Sequence, residues 1–219
     1  MPIIISHKNK YICTYIPKSA CTTIRCVLAN IEGIEFVPNW TVKDKKHIKT
    51  KFNFLRGSKQ IERYEDYKYF TFVRNPWDRL VSCYFDKIIF VREVKNNKWV
   101  KNGMYKEFNK YKPKVPFNEM EFKDFVEFVI SVPDNRCDIH FKPQHMFINM
   151  ERLDFLGKVE RLSLDMKLLF PDINLSDIPK LWSKPHKNYT CYYDDNLKKM
   201  VKQKYQKDIE LFNYSFPSK

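Results

Sequence analysis

Twice along this chain an apolar, β-forming run stops at a proline-marked polar loop and gives way to residues at helical spacing. The first is Tyr11-Ile12-Cys13-Thr14-Tyr15-Ile16, closed by Pro17. Lys18-Ser19-Ala20-Cys21-Thr22-Thr23 follow, and then Ile24, Val27, Leu28 and Ile31 recur with a helical period up to Gly33. The second is Tyr69-Phe70-Thr71-Phe72-Val73, continued by Arg74-Asn75-Pro76-Trp77-Asp78-Arg79-Leu80-Val81-Ser82. Trp77, Leu80, Val81, Tyr84 and Ile88 then lie along one stripe. Asn75 and Pro76 stand where an N-cap and a first helical residue belong, and Asp78 falls in the first turn. Strands handing over to helices predict parallel pairing with helices on both faces, hence an α/β fold with three layers around a central parallel sheet.

Further periods extend the pattern. Ile34-Glu35-Phe36-Val37 reads as a short strand. Asn118 and Glu121 open a helix that buries Phe122, Phe125, Val126, Val129 and Ile130. Residues 155–159 suit another short strand. A long helix is expected over residues 195–212, with Leu197, Val201, Tyr205, Ile209 and Phe212 inward. The polar stretch 92–116 lacks periodicity and reads as a surface excursion or lid.

A chain of 219 residues suits one domain spanning 1–219. Its net charge of +14 would attract polyanions, although a lysine-rich solvated surface accounts for it as well. The six cysteines form no CxxC pair, and Cys13, Cys26 and Cys83 sit in apolar segments where a free thiol packs as a small hydrophobe. That usage suggests a reducing compartment. No run approaches the roughly 20 apolar residues that span a bilayer, and Pro2-Ile3-Ile4-Ile5 is short for a signal peptide, so a cytoplasmic location is expected.

The two junctions carry the chemistry. A strand–loop–helix turn presents backbone N–H groups and the positive end of a helix dipole to one anion. Lys18 adds a full charge there, and Thr22 and Thr23 add hydroxyl donors. The chain has four glycines and no GxxxxGK[ST], so Ser19 and Ala20 must allow the close backbone approach. Arg74, at the carboxyl end of a strand, has the planar fork that clamps phosphate, and Ser82 lies two turns into the next helix. Each junction alone is equally compatible with an ordinary loop, a surface arginine and an exposed serine. The five histidines (His7, His47, His140, His145, His186) show no metal-ligand spacing.

Taken together, the two junctions resemble the paired nucleotide signatures of sulfotransferases that use 3′-phosphoadenosine 5′-phosphosulfate (PAPS). The likeness is greatest to the Golgi carbohydrate sulfotransferases of the chondroitin 4-O / HNK-1 type. Lys46-His47-Ile48, Asp138-Ile139-His140-Phe141-Lys142-Pro143-Gln144, residues 155–162 and Leu211-Phe212-Asn213-Tyr214-Ser215 extend the likeness over most of the chain.

The resemblance implies a P-loop-NTPase-like sulfotransferase fold and transfer of sulfuryl from PAPS to a hydroxyl, with PAP as product and no metal. The acceptor would be a carbohydrate, and an anionic one would suit the charge. Lys18, Ser19, Ala20, Cys21, Thr22 and Thr23 would hold the 5′-phosphosulfate, with Lys18 also catalytic. Arg74 and Ser82 would hold the 3′-phosphate, and Lys187 and Thr190 would lie in a late loop over the nucleotide. His47 is the first candidate for the general base and His140 the second; His140, Gln144 and Glu160 are candidates for acceptor contacts. Usual family members carry a membrane anchor and stem, whereas this chain is expected to begin almost directly at the catalytic core, which favours the cytoplasm, or the Golgi lumen if it is a truncated catalytic domain. Competing functions are a nucleotide kinase or other P-loop-like phosphotransferase, a basic nucleic-acid-binding protein, and a family member that keeps the fold without turnover. Oligomeric state stays open, and no nucleic-acid partner or membrane span is expected.

Overall fold

A computed structural model of the protein describes residues 2–34, 53–56, 58–93, 111–117, 119–173 and 188–217. They fall into two compact units, Met1–Arg74 with Gln144–Ser183, and Asn75–Pro143 with Lys184–Lys219. The first unit holds one sheet of β1 (Pro2–Ser6), β2 (Tyr11–Thr14), β3 (Asn53–Arg56), β4 (Lys68–Val73) and β5 (Phe155–Lys158), in the order β3-β1-β2-β4-β5. The main helices among the described residues are α1 (Cys21–Ile31) in the first unit, α2 (Pro76–Tyr84) and α3 (Phe122–Ser131) in the second, α4 (Leu162–Leu169) in the first, and α5 (Asp195–Lys204) and α6 (Gln206–Leu211) in the second.

The fold is α/β as expected, but the sheet is mixed. β2 pairs in parallel with β4, and β4 with β5, whereas β1 runs antiparallel to both β2 and β3. The expectation of a wholly parallel sheet is therefore corrected at its β1–β3 side. Pro2 to Ser6 is not only a short apolar run. A tight turn at residues 7–10, in which the Asn9 N–H donates to Ser6 Oγ at 2.9 Å and Lys10 takes φ 48°, folds it back onto β2 as a hairpin. The parallel half matters for function. Its register, Thr14 opposite Thr71 and Val73 opposite Lys158, brings the carboxyl ends of β2, β4 and β5 to one edge.

Alternation sorts the side chains to two faces. Ile4, Tyr11, Cys13, Phe70 and Phe72 pack against Ile24, Val27 and Leu28 of α1 and Met166 and Leu169 of α4. Ile3, Ile5, Ile12 and Tyr69 gather on the other face with Ile61, from a 3₁₀ segment at Ser58–Arg63. Each buried aliphatic or phenyl side chain contributes about 1.5–3 kcal/mol relative to exposure. Gly157 is obligatory in β5, because a Cβ there would lie 2.2 Å from Cε1 of Phe72. α1 ends as the sequence foretells. Gly33, at φ 66°, donates to Asn30 O and the Ile34 N–H reaches Ala29 O, both at 2.9 Å, in a Schellman turn. Ile34 thus closes a helix rather than opening a strand, and residues 35–37 of that expected strand lie outside the described residues.

The second unit is helical around an aromatic core that joins Trp77, Leu80, Val81 and Tyr84 of α2 to Phe122, Phe125, Val126 and Val129 of α3 and to Leu197 and Val201 of α5. Two boundaries differ from expectation. α3 is capped at Glu121, whose N–H donates to Asp124 Oδ2 at 2.9 Å. The expected long terminal helix is broken at Tyr205 (φ −111°, ψ 24°), where the buried tyrosine donates its hydroxyl to Phe141 O at 2.7 Å. The inward stripe survives the break, as Leu197, Val201, Tyr205, Ile209 and Phe212 are all buried.

Candidate functional site: an anion loop at the parallel edge

β2 leaves its last pairing at Thr14 and turns at residues 17–20. The Ser19 N–H donates to Ile16 O at 3.1 Å, with Pro17 and then Lys18 at the turn's centre. Pro followed by a residue at positive φ is the type II pattern, which favours glycine in the second place. Lys18 occupies it at φ 68°, and Ala20, the residue preceding α1, is again left-handed at φ 53° and ψ 24°. For residues with a Cβ this conformation costs about 1–2 kcal/mol each, so it must be held by its surroundings.

α1 starts without help. Ala20 offers no capping side chain, and no acidic residue lies in the first turn. The first N–H groups of the helix and its positive dipole end are therefore directed at whatever anion sits there. Arg25 steadies the turn from below: its Nε donates to Cys21 O at 3.1 Å, and its guanidinium lies 5.3 Å from the centre of the Tyr15 ring. Lys18, Ala20, Cys21, Thr22 and Thr23 are half-buried, while Ser19 is fully buried.

What braces the loop is Gln144, at the start of a 3₁₀ turn over Gln144–Phe147. Its Oε1 accepts from Ser19 Oγ at 2.9 Å and from the Arg74 N–H at 3.0 Å, and its Nε2 donates to Arg74 O at 2.8 Å. Arg74 in turn donates from Nη1 to Lys18 O at 3.1 Å. Lys18 and Arg74 thus meet within one unit, with Arg74 just past β4 holding the residue four places past β2. Gln144 was a candidate for acceptor contact. Its side chain is fully buried and its amide is committed to the loop and to the end of β4. Glu160 is exposed in the 3₁₀ turn that follows β5. Beside it the buried Asp165, which the sequence did not single out, accepts from Lys158 N at 2.7 Å and Arg161 Nε at 3.0 Å.

The remaining candidates belong to the second unit. Ser82 is half-buried on α2. Thr190 lies in the 3₁₀ segment Tyr189–Tyr192, with its N–H capped by Asn188 Oδ1 at 3.2 Å. His140 is oriented by Asp138, whose Oδ1 lies 2.6 Å from His140 Nδ1 and 2.9 Å from the His140 main-chain nitrogen. Burial alone would raise the Asp138 carboxyl, but the hydrogen bonds and the charge of His140 outweigh it and hold the group below the usual carboxylate range. An ionised carboxylate only accepts, so Nδ1 carries a hydrogen toward it. The same loop is fastened by the buried Arg79, which donates to Lys142 O at 2.8 Å and Ile139 O at 3.4 Å. Neither Asp138 nor Arg79 was picked out beforehand, although the i,i+2 spacing of Asp138 and His140 was a visible signal. His47 and Lys187 lie outside the described residues.

An α/β unit that gathers an uncapped helix start, a lysine and an arginine at the carboxyl edge of parallel strands has the makings of a phosphate-ester site. The chain belongs to the sulfotransferase family, whose model matches residues 1–215. It is 25% identical over 233 residues to carbohydrate sulfotransferase 14 of Danio rerio, covering 99% of this chain and 63% of that protein. The corresponding figures for carbohydrate sulfotransferase 14 of Mus musculus are 24%, 99% and 61%, and for carbohydrate sulfotransferase 9 of Homo sapiens 24%, 94% and 48%. The chain therefore spans about three fifths, or less, of the length of these curated relatives. No solved structure matches it. These relatives overturn the cytoplasmic expectation, because carbohydrate sulfotransferases of this kind are Golgi-resident. Among the described residues no helix is long and apolar enough to cross a membrane.

Proposed function

We propose that this protein is a PAPS-dependent sulfotransferase acting on a hydroxyl of a carbohydrate, as a single domain of the three-layer, P-loop-NTPase-like kind. The observation that carries the proposal is the hydrogen bond from Arg74 to Lys18 O, because it joins two cationic anion sites at one strand edge. A bisphosphorylated nucleoside is a ligand with two such ends. The turn from Lys18 to Thr23 takes the 5′-phosphosulfate, and Arg74 takes the 3′-phosphate.

In the reaction the acceptor oxygen bonds to sulfur as the bond from sulfur to the bridging phosphate oxygen breaks, and PAP departs. Lys18 and the first N–H groups of α1 stabilise the charge that develops on that leaving oxygen. The hydroxyl proton passes to a histidine. His47 is favoured by resemblance, and His140 by its Asp138-held geometry, which leaves Nε2 as the acceptor of a proton.

Transfer of labelled sulfate from PAPS to a glycan panel tests the whole. Activity is expected for wild type, and loss of His47 or His140, each replaced by Ala, should cost the base about 10²–10⁴-fold in kcat for the residue that serves. PAP should raise the melting temperature well beyond ADP, which lacks the 3′-phosphate. Equal responses to PAP and ADP, with no transfer to any acceptor, would remove the proposal.

A further inference from the structure

Resting on the nucleotide function just proposed, we infer that Gln144 is a positioning residue for the donor: its buried carboxamide locks the Lys18 turn to the end of β4 and presets the anion site before ligand arrives. The geometry closes a ring. Ser19 donates to Gln144, Gln144 grips both main-chain polar groups of Arg74, and the Arg74 side chain returns to the carbonyl of Lys18, the residue adjoining Ser19. The orientation of the amide is fixed by its partners, since a main-chain N–H can only donate and a main-chain carbonyl can only accept. Gln144 is separated from Ser19 by 125 residues and from Arg74 by 70, so the ring joins three distant segments of the chain.

The need for such a brace follows from the loop's composition. No glycine occurs between β2 and α1, yet Lys18 and Ala20 are both left-handed. A glycine-rich loop adopts this shape without a steric penalty; this one must be held there. A loop held in its binding shape avoids ordering costs when the nucleotide docks, and it keeps Lys18 aimed. A purely structural glutamine would matter to melting alone, whereas a positioning glutamine must also matter to donor affinity, and a glycine that relaxes the loop should compensate for its loss.

The test uses the full chain, with PAP as probe by titration calorimetry and PAPS kinetics alongside. Gln144→Met keeps the buried volume and removes the bonds. It should weaken PAP about tenfold to a hundredfold and raise the KM for PAPS, while the KM for acceptor stays near wild type. Adding Ala20→Gly to Gln144→Met should recover part of the lost affinity. Should Gln144→Met not fold, Ser19→Ala, which removes only the first bond of the ring, should show the same loss in smaller degree. Unchanged PAP affinity in a folded Gln144→Met, or in Ser19→Ala, overturns this inference while leaving the nucleotide function standing. Wild type that ignores PAP overturns both.

Discussion

Helix α1 is approached through Ala20, left-handed and unable to cap, whereas α2 is approached through Asn75, whose Oδ1 accepts the Trp77 N–H at 3.1 Å, with Pro76 at the first position and Asp78 in the first turn. Asn75 also donates from Nδ2 to Ser215 O at 3.1 Å, and the Trp77 ring meets Phe216 edge-on at 5.5 Å. One helix start is left open at the expense of backbone strain; the other is closed by its own sequence and fastened to the chain's tail. Of the two sulfotransferase-like signatures, then, the first leaves its helix start without a side-chain cap and the second does not. In the second, the proposed function gives the anion contact to the charged fork of Arg74, and Asn75-Pro76-Trp77-Asp78 is a capping and core-packing cassette.

The contrast can be broken experimentally. The largest effect belongs to Lys18→Ala, for which sulfate transfer should fall about 10²–10³-fold while the melting temperature hardly moves. A fold-sized loss of stability instead would place Lys18 among the structural residues and erase the distinction. Asn75→Ala should do the reverse. It removes a cap worth about 1 kcal/mol, lowering the melting temperature by about 2–4 °C, with much less effect on PAP affinity than Lys18→Ala. Ala20→Gly should be smaller still and of opposite sign, stabilising by up to about 1 kcal/mol as the left-handed strain is relieved, less the entropy glycine adds to the unfolded chain. Destabilisation by Ala20→Gly would show that the loop is not strained.

The last effect appears only in acid. The Asp138 carboxyl is held below its usual range in the folded protein, so its contribution is complete above the unfolded value of about 3.9 and is lost as pH falls through the lower folded value. Asp138→Asn should therefore flatten the acid limb of a stability–pH curve below about pH 4, as measured by chemical denaturation. An unaltered limb would mean that the pairing with His140 adds nothing to stability.

Local chemistry made much of this protein legible from sequence. Tyr11 to Thr14 and Tyr69 to Val73 are strands, Gly33 stops α1, and Asn75-Pro76 starts α2, because β-branched and aromatic runs, a left-handed glycine and a capping asparagine act within a few residues. Stripes of period 3.6 gave the buried faces of α2 and α3 and the inward residues of α5 and α6. Lys18 and Arg74 stood out as candidates because a cation beside a strand end or a helix start can serve an anion.

Other features were settled by contacts between distant segments. β1 joins the sheet because a hairpin lays it against β2, Gly157 is required because the Phe72 ring lies over it, and α5 ends because Tyr205 reaches Phe141. The shape of the Lys18 turn is the clearest case. Nothing in Pro17-Lys18-Ser19-Ala20 dictates two left-handed residues without glycine, and local sterics oppose them. A hydrogen bond from 125 residues away can oppose that cost only once the chain has folded and the glutamine is buried, where its unmade bonds would be expensive.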